Sequence, residues 1–243
     1  GTEIYHPRCQ QHQRRQHVRQ LVMAGLFITF EGGEGSGKST QIAEIGNWIN
    51  ARYPDIELVI TREPGGTVPA EEIRKILVNG DKDKITPQTE ALLMVAARTE
   101  NVHKIIRPAL DRGAIILCDR FADSSRVYQA LAHGAPIEKI DQLHAFGFDN
   151  LQPDITLYLD LPPEEGLERV SRRNSDVADD IETESRFEDK GLGFHTRVRD
   201  GYLTLSRTFP DRFHLIDGQQ NKDAITQDII DIISRKCEQF DDR

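Results

Sequence analysis

Five short runs in which nearly every position is apolar punctuate the 243-residue chain, each stopping at a polar or glycine-bearing turn: LFITFEGG, ELVITREPGG, AIILCDRF, DITLYLDLP and FHLIDG. Their β-branched and aromatic content predicts strands. Most are apolar throughout instead of alternating, which suits a parallel sheet covered on both faces. Between them the period becomes helical: Ile42, Ile45 and Ile49 fall on one side after the first run, and Ile225, Ile229, Ile232 and Ile233 do so near the C-terminus. The alternation predicts an α/β fold, a five-stranded parallel sheet flanked by helices. Residues 86–110, TPQTEALLMVAARTENVHKIIRPAL, predict one long helix entered at Thr86 and Pro87 and closed near Gly113. From Arg169 to Arg186 apolar residues give way to charge, in RVSRRNSDVADDIETESR, and a mobile surface loop between helices is expected there.

Composition narrows the function classes. A hydrophobic fraction of 37% and a charged fraction of 29% fit a globular protein, and the formal net charge of -9 opposes binding of polyanions, so nucleic acid is not an expected partner. No apolar stretch approaches the roughly 18 residues of a membrane span, so no membrane association is expected. Cys9, Cys118 and Cys237 are odd in number, far apart and without CxxC spacing, which favours neither a disulfide framework nor a zinc site and makes a cytoplasmic location the default. Residues 1–22 are rich in arginine, histidine and glutamine, with Glu3 as their one acidic residue. They lack the apolar segment of a secretory signal and the serines of a mitochondrial presequence. They read as a disordered or added tail ahead of a natural start at Met23, with one domain over 23–243.

One motif carries chemistry by itself. Gly32, four residues, then Gly37-Lys38-Ser39 match G-x-x-x-x-G-K-[ST], placed after a predicted strand and before a predicted helix, as the pattern requires. Glycines let successive backbone N–H groups line a concave surface, and the helix N-terminus adds positive potential, so a polyphosphate finds many donors at once. The cradle is Gly32, Gly33, Glu34, Gly35, Ser36, Gly37, Lys38, Ser39 and Thr40, with Lys38 reaching the β- and γ-phosphates and Ser39 offering its hydroxyl to Mg²⁺. A carboxylate at the end of another strand would complete the metal shell. Asp119 and Asp160 share that local pattern, and Arg120 beside Asp119 favours Asp119. A GTPase reading fails because NKDA, residues 221–224, puts its aspartate one position early for N-K-x-D. A nucleic-acid motor would carry a more basic surface and a longer chain.

The wider pattern resembles one family. FEGGEGSGKST, TREPGGT, LLMVAAR, DRFADSSRVYQ, PDITLYLDLPPEEGLER and RFE, in that order and spacing, resemble bacterial thymidylate kinase over residues 23 to about 240. The resemblance implies a P-loop kinase fold with a mobile lid at about 170–187, a homodimer, and transfer of the ATP γ-phosphoryl to dTMP. It implies that Arg120 contacts the dTMP phosphate, that Arg98 hydrogen-bonds the thymine carbonyl, and that Glu34 faces the deoxyribose 3′-hydroxyl. Ser125 and Gln129 lie near the base and Tyr128 near the sugar, while Arg62 and Glu63 border the acceptor cleft. Because the P-loop offers Gly35 and Ser36 instead of an arginine, the resemblance directs Arg173 and Arg186 of the lid to the ATP phosphates. The sequence departs from the family pattern in a longer, more acidic lid. It departs again at Met94, where a phenylalanine usually stacks on thymine. Two alternatives remain: a kinase for another nucleoside monophosphate, and a nucleotide-binding regulatory protein without an acceptor site.

Overall fold

A computed structural model describes residues 25–79, 84–175 and 190–239. Its strands are β1 (Leu26–Glu31), β2 (Leu58–Arg62), β3 (Ile115–Asp119), β4 (Ile155–Asp160) and β5 (Phe213–Asp217). The helices are α1 (Lys38–Arg52), α2 (Val68–Val78), α3 (Pro87–Asn101), α4 (Arg107–Asp111), α5 (Ala122–Ser125), α6 (Ile137–Phe148), α7 (Pro163–Ser175), α8 (Leu192–Thr208) and α9 (Lys222–Gln239). All five expected strands form and pair in parallel in the order β2-β3-β1-β4-β5. From β1 the chain runs out to the β2 edge, while from β3 it crosses to β4 on the other side. The strand order therefore reverses between β1 and β3, and the loops after these two strands open into one crevice.

Alternate residues of the central strands serve the two layers. Leu26, Ile28 and Phe30 pack with Ile42, Ile45 and Ile49 of α1 and Ile225, Ile229 and Ile233 of α9. Phe27, Ile116 and Cys118 pack with Val95, Val102, Ile106 and Phe148 on the opposite face. The edge strands are covered less completely than their apolar runs suggest: Ile60 on β2 is 53% exposed and Leu215 on β5 51%. No helix among the described residues is long and apolar enough to cross a membrane.

Two expectations change in detail. The segment after Thr86 is helical to Asp111, and Thr86 caps it as expected by accepting from Thr89 N at 3.2 Å, but residues Val102–Ile106 widen into a π-turn. Pro108 has no N–H to give and its ring would collide with the carbonyl one turn back; the wider turn accommodates both defects. Gly113, at φ 79, then closes the path near the expected place. Helix α7 corrects the reading of a loop from Arg169 onward, since Arg169, Arg172 and Arg173 are helical. Glu165 pairs with Arg169 and Glu168 with Arg172, each four residues apart, and the acidic first turn and basic last turn complement the helix dipole. Residues 1–22, the lid's remainder and Arg186 lie outside the described residues.

Candidate active site

The loop joining β1 to α1 bends back on itself. Lys38 Nζ donates to the carbonyls of Gly32 at 3.3 Å and Gly33 at 3.1 Å, while Ser39 and Thr40 open α1 with exposed side chains. Burial and the neighbouring Arg120 lower the Lys38 ammonium's pKa, with Asp119, Glu34 and Glu31 pulling the other way. The back of the loop presses on α7. Gly35 has φ 69, and a Cβ there would stand 2.2 Å from the Gly166 carbonyl oxygen. A Cβ on Gly166 would stand 2.3 Å from the Glu34 carbonyl oxygen. Neither position admits a side chain without moving backbone.

Across the crevice, β3 ends at Asp119, whose Oδ2 accepts from Ser39 Oγ at 3.4 Å. Its Oδ1 is buried without a hydrogen-bond partner. A hydroxyl and an unsatisfied carboxylate oxygen suit Mg²⁺, which takes few protein ligands and completes its shell with phosphate and water. Among the described residues there is no cluster of three or more histidine, cysteine or acidic side chains that would make a self-sufficient metal cage. Asp160 is otherwise engaged: both oxygens accept from Arg199, at 2.7 and 2.8 Å, and Oδ1 also accepts from Tyr158 Oη.

Arg120 follows Asp119 in the left-handed region, at φ 67. Its guanidinium lies over the Tyr128 ring and donates from Nη1 to Gly32 O at 2.9 Å and from Nη2 to Glu34 Oε1 at 2.8 Å. Gly32 O thus accepts from both Lys38 and Arg120. Burial pushes the Glu34 carboxyl up, but Arg120, Lys38 and His195 outweigh it and the net shift is downward, so Glu34 is a carboxylate. Tyr128 Oη donates to the same oxygen at 3.2 Å. The negative charge of Glu34 within the loop is therefore balanced by Arg120 and the Tyr128 hydroxyl.

A second cluster is built on Arg98. Arg98 is 2% exposed. Its Nε donates to Glu63 Oε2 at 2.5 Å, Nη1 to Ser125 Oγ at 2.9 Å and to His144 Nε2 at 3.2 Å, and Nη2 to Phe121 O at 2.9 Å. A guanidinium has five N–H groups, so one on Nη2 remains. Since arginine can only donate, His144 is the neutral tautomer protonated on Nδ1; burial, with Arg98 and Arg126 nearby, pushes its pKa down to about 2. Glu63 also accepts from Asn101 at 3.2 Å. Gln129 donates to the buried Glu90 at 2.9 Å, and Met94 packs half-buried against the cluster of Tyr128, Tyr158 and Tyr202.

Of the residues singled out in the sequence, the loop, Asp119, Arg120, Tyr128, Glu34, Arg98, Glu63, Ser125, Gln129 and Met94 border this crevice or the cluster behind it. Arg62 stands apart: it is exposed and paired with Glu71. Arg173 is exposed on the last turn of α7. Sequence reasoning missed Glu31, Tyr202, His144, Glu90 and Asn101. Glu31 carried a usable signal, because it ends β1 as Asp119 ends β3. The others are polar residues within helices, and only the tertiary fold reveals their partners.

A family model described as Thymidylate kinase matches residues 30–229. The chain is 47% identical over 212 residues to a thymidylate kinase of Caulobacter vibrioides, covering 87% of this chain and 97% of that one. It is 40% identical over 212 residues to a thymidylate kinase of Bacillus velezensis, covering 87% and 96%. The crystal structure of thymidylate kinase from Ehrlichia chaffeensis superposes with a TM-score of 0.68 at 31% identity, covering 86% of this chain and 99% of that one.

Proposed function

Because the chain belongs to the thymidylate kinase family, we infer that it moves the γ-phosphoryl of ATP onto the phosphate of dTMP, giving dTDP and ADP. The observation that carries this reading is the shared Gly32 carbonyl: the cation of the donor cradle, Lys38, and the cation of the acceptor side, Arg120, meet on one oxygen. Phosphoryl transfer brings two polyanions together and asks the protein chiefly for positioned positive charge. Residues Gly32 to Thr40 hold the ATP phosphates. Arg120 holds the dTMP phosphate, with Glu34 and Tyr128 at the sugar. Arg98 turns its remaining N–H toward the thymine carbonyl, with Ser125, Gln129 and Met94 around the base, and Glu63 acts by fixing Arg98. Ser39 and Asp119 would hold Mg²⁺, which supplies charge neutralisation between the phosphates. Arg173, from the last turn of α7, and Arg186, further along the sequence, act on the ATP phosphates.

The enzyme is a cytoplasmic homodimer built from one domain over 23–243. Supporting the dimer, α3 and α6 pack together, Gly147 lying against Val95 and Thr99, and carry Leu92 and Phe146, the latter 92% exposed. Phe146→Glu should lower the sedimentation coefficient to that of a monomer; an unchanged coefficient would remove this face from the interface.

Coupled ADP release measured with no acceptor and with dTMP, dUMP, dCMP or dGMP tests the activity. Turnover should depend on an acceptor and be fastest with dTMP. Faster turnover of another nucleotide would reassign the substrate, and ADP release indifferent to acceptor would remove the acceptor site.

A further inference from the structure

Arg120 has a conformation that an L-residue adopts at a cost, and the structure shows what holds it there. At φ 67 it is in the left-handed region, which brings the Cβ too close to the following carbonyl oxygen. Such a conformation persists where the surroundings over-determine it. The backbone is gripped on both sides by consecutive residues of β1: Arg120 N donates to Phe30 O at 2.9 Å, and Phe121 N donates to Glu31 Oε1 at 2.9 Å. The other carboxyl oxygen, Oε2, accepts from Ser124 Oγ at 2.6 Å and Tyr202 Oη at 2.7 Å. Those two hydroxyls are 2.9 Å apart and lie beneath the guanidinium, at 3.5 and 3.4 Å from Nη1. Glu31 is fully buried, which for a carboxyl with no direct basic partner demands a compensating set of donors. Here the donors come from the loop after β3, from α5 and from α8.

We propose that Glu31 is the positioning residue for Arg120: by accepting Phe121 N–H it fixes the left-handed turn that aims the guanidinium at the acceptor phosphate. This rests on the reading of Arg120 as the dTMP-phosphate residue. Glu31 touches neither substrate. It acts through backbone, and because it immediately precedes Gly32 it ties the acceptor arginine to the strand that carries the donor cradle.

The grip needs an acceptor oxygen at Oε1 and not a charge, which gives the test. Glu31→Leu keeps volume and removes the acceptor. Glu31→Gln keeps an oxygen for Phe121 N–H, while the Ser124 and Tyr202 hydroxyls can turn to accept from its amide. In the full-length enzyme, Glu31→Leu should raise the KM for dTMP at least tenfold and leave the KM for ATP within about twofold. Glu31→Gln should restore the dTMP KM to within about threefold of wild type. If Glu31→Leu does not fold, Glu31→Asp, which keeps the charge but withdraws the oxygen by one methylene, should show the same selective loss. An unchanged dTMP KM, an equal rise for ATP, or a Gln variant as impaired as Leu would each overturn the proposal. Arg120→Met, run alongside, separates the two levels: if it too leaves the dTMP KM unchanged, the assignment of Arg120 fails, not the grip alone.

Discussion

Lys38 is held by carbonyls of its own loop, and its charge is what the cradle offers a polyphosphate. Lys38→Ala should reduce kcat by 10²-fold or more, about 2.7 kcal/mol of barrier, in an enzyme whose unfolding is unchanged; near-normal turnover in a folded variant would withdraw the assignment. The same scale exposes the limits of pattern reading. The loop was legible because spacing alone defines it, whereas ending an apolar run left Asp119 and Asp160 level, and Arg120 beside Asp119 decided between them. Arg98 and Glu63 were named separately, yet nothing in their 35-residue separation announces a buried pair. Met94 was legible only as a departure from a family, and its packing against the Tyr128 cluster gives it a physical role. If it covers thymine, Met94→Ala should weaken dTMP binding in calorimetric titration while scarcely changing ATP. Met94→Phe should tighten dTMP a few-fold to about tenfold through an aromatic contact of roughly 0.5–1.5 kcal/mol, less whatever overpacking costs. Equal dTMP affinity in wild type and Met94→Ala would make Met94 ordinary core.

Elements were legible where one period dominated. The apolar strands and the isoleucine faces of α1 and α9 stand as read, because burial against a sheet imposes their pattern. Helix α7 was misread because its order comes from charges four residues apart, a pattern that looks like a solvated loop when only hydrophobicity is counted. The π-turn before α4 was invisible because Pro108 signals a helix break, not the way a continuing helix absorbs it. Where α7 meets the P-loop, two glycines bring backbone to backbone. Gly166→Ala places a methyl carbon 2.3 Å from Glu34 O, so the loop must shift. The variant should lose about 1–3 kcal/mol of stability and raise the KM for ATP more than that for dTMP. A wild-type KM for ATP would show that the contact leaves the cradle undisturbed.

At the scale of the molecule, strand order was not legible, since local pattern does not say which strand neighbours which; yet that order creates the crevice. Burial also gives the whole protein a characteristic response to pH. His144 has its folded pKa depressed from 6.5 to about 2, so its share of stability is complete above pH 6.5 and is lost as pH falls from there toward 2, at about 1.4 kcal/mol per unit. Glu31 behaves oppositely. Burial and the charge of Asp123 push it from 4.5 up to about 7 against Ser124, Arg120 and Tyr202, so the folded state binds the extra proton and stability rises as pH falls from 7 to 4.5. The two nearly cancel between pH 6.5 and 4.5, and the loss from His144 emerges below. In urea titrations across pH, Glu31→Gln should start its decline near pH 6.5, and His144→Gln should lower the acid slope by about one proton. Parallel curves for wild type and both variants would refute these protonation states.

One shared oxygen has a further consequence. If a donor phosphate draws Lys38 off the Gly32 carbonyl, Arg120 keeps that oxygen at 2.9 Å, and if an acceptor phosphate draws Arg120 off it, Lys38 keeps it at 3.3 Å. Donor and acceptor occupancy would then be thermodynamically linked through a single main-chain atom, and linkage is reciprocal. Whatever factor ATP contributed to the affinity for dTMP, dTMP would contribute to the affinity for ATP, so the cleft would sense its two nucleotides as a pair.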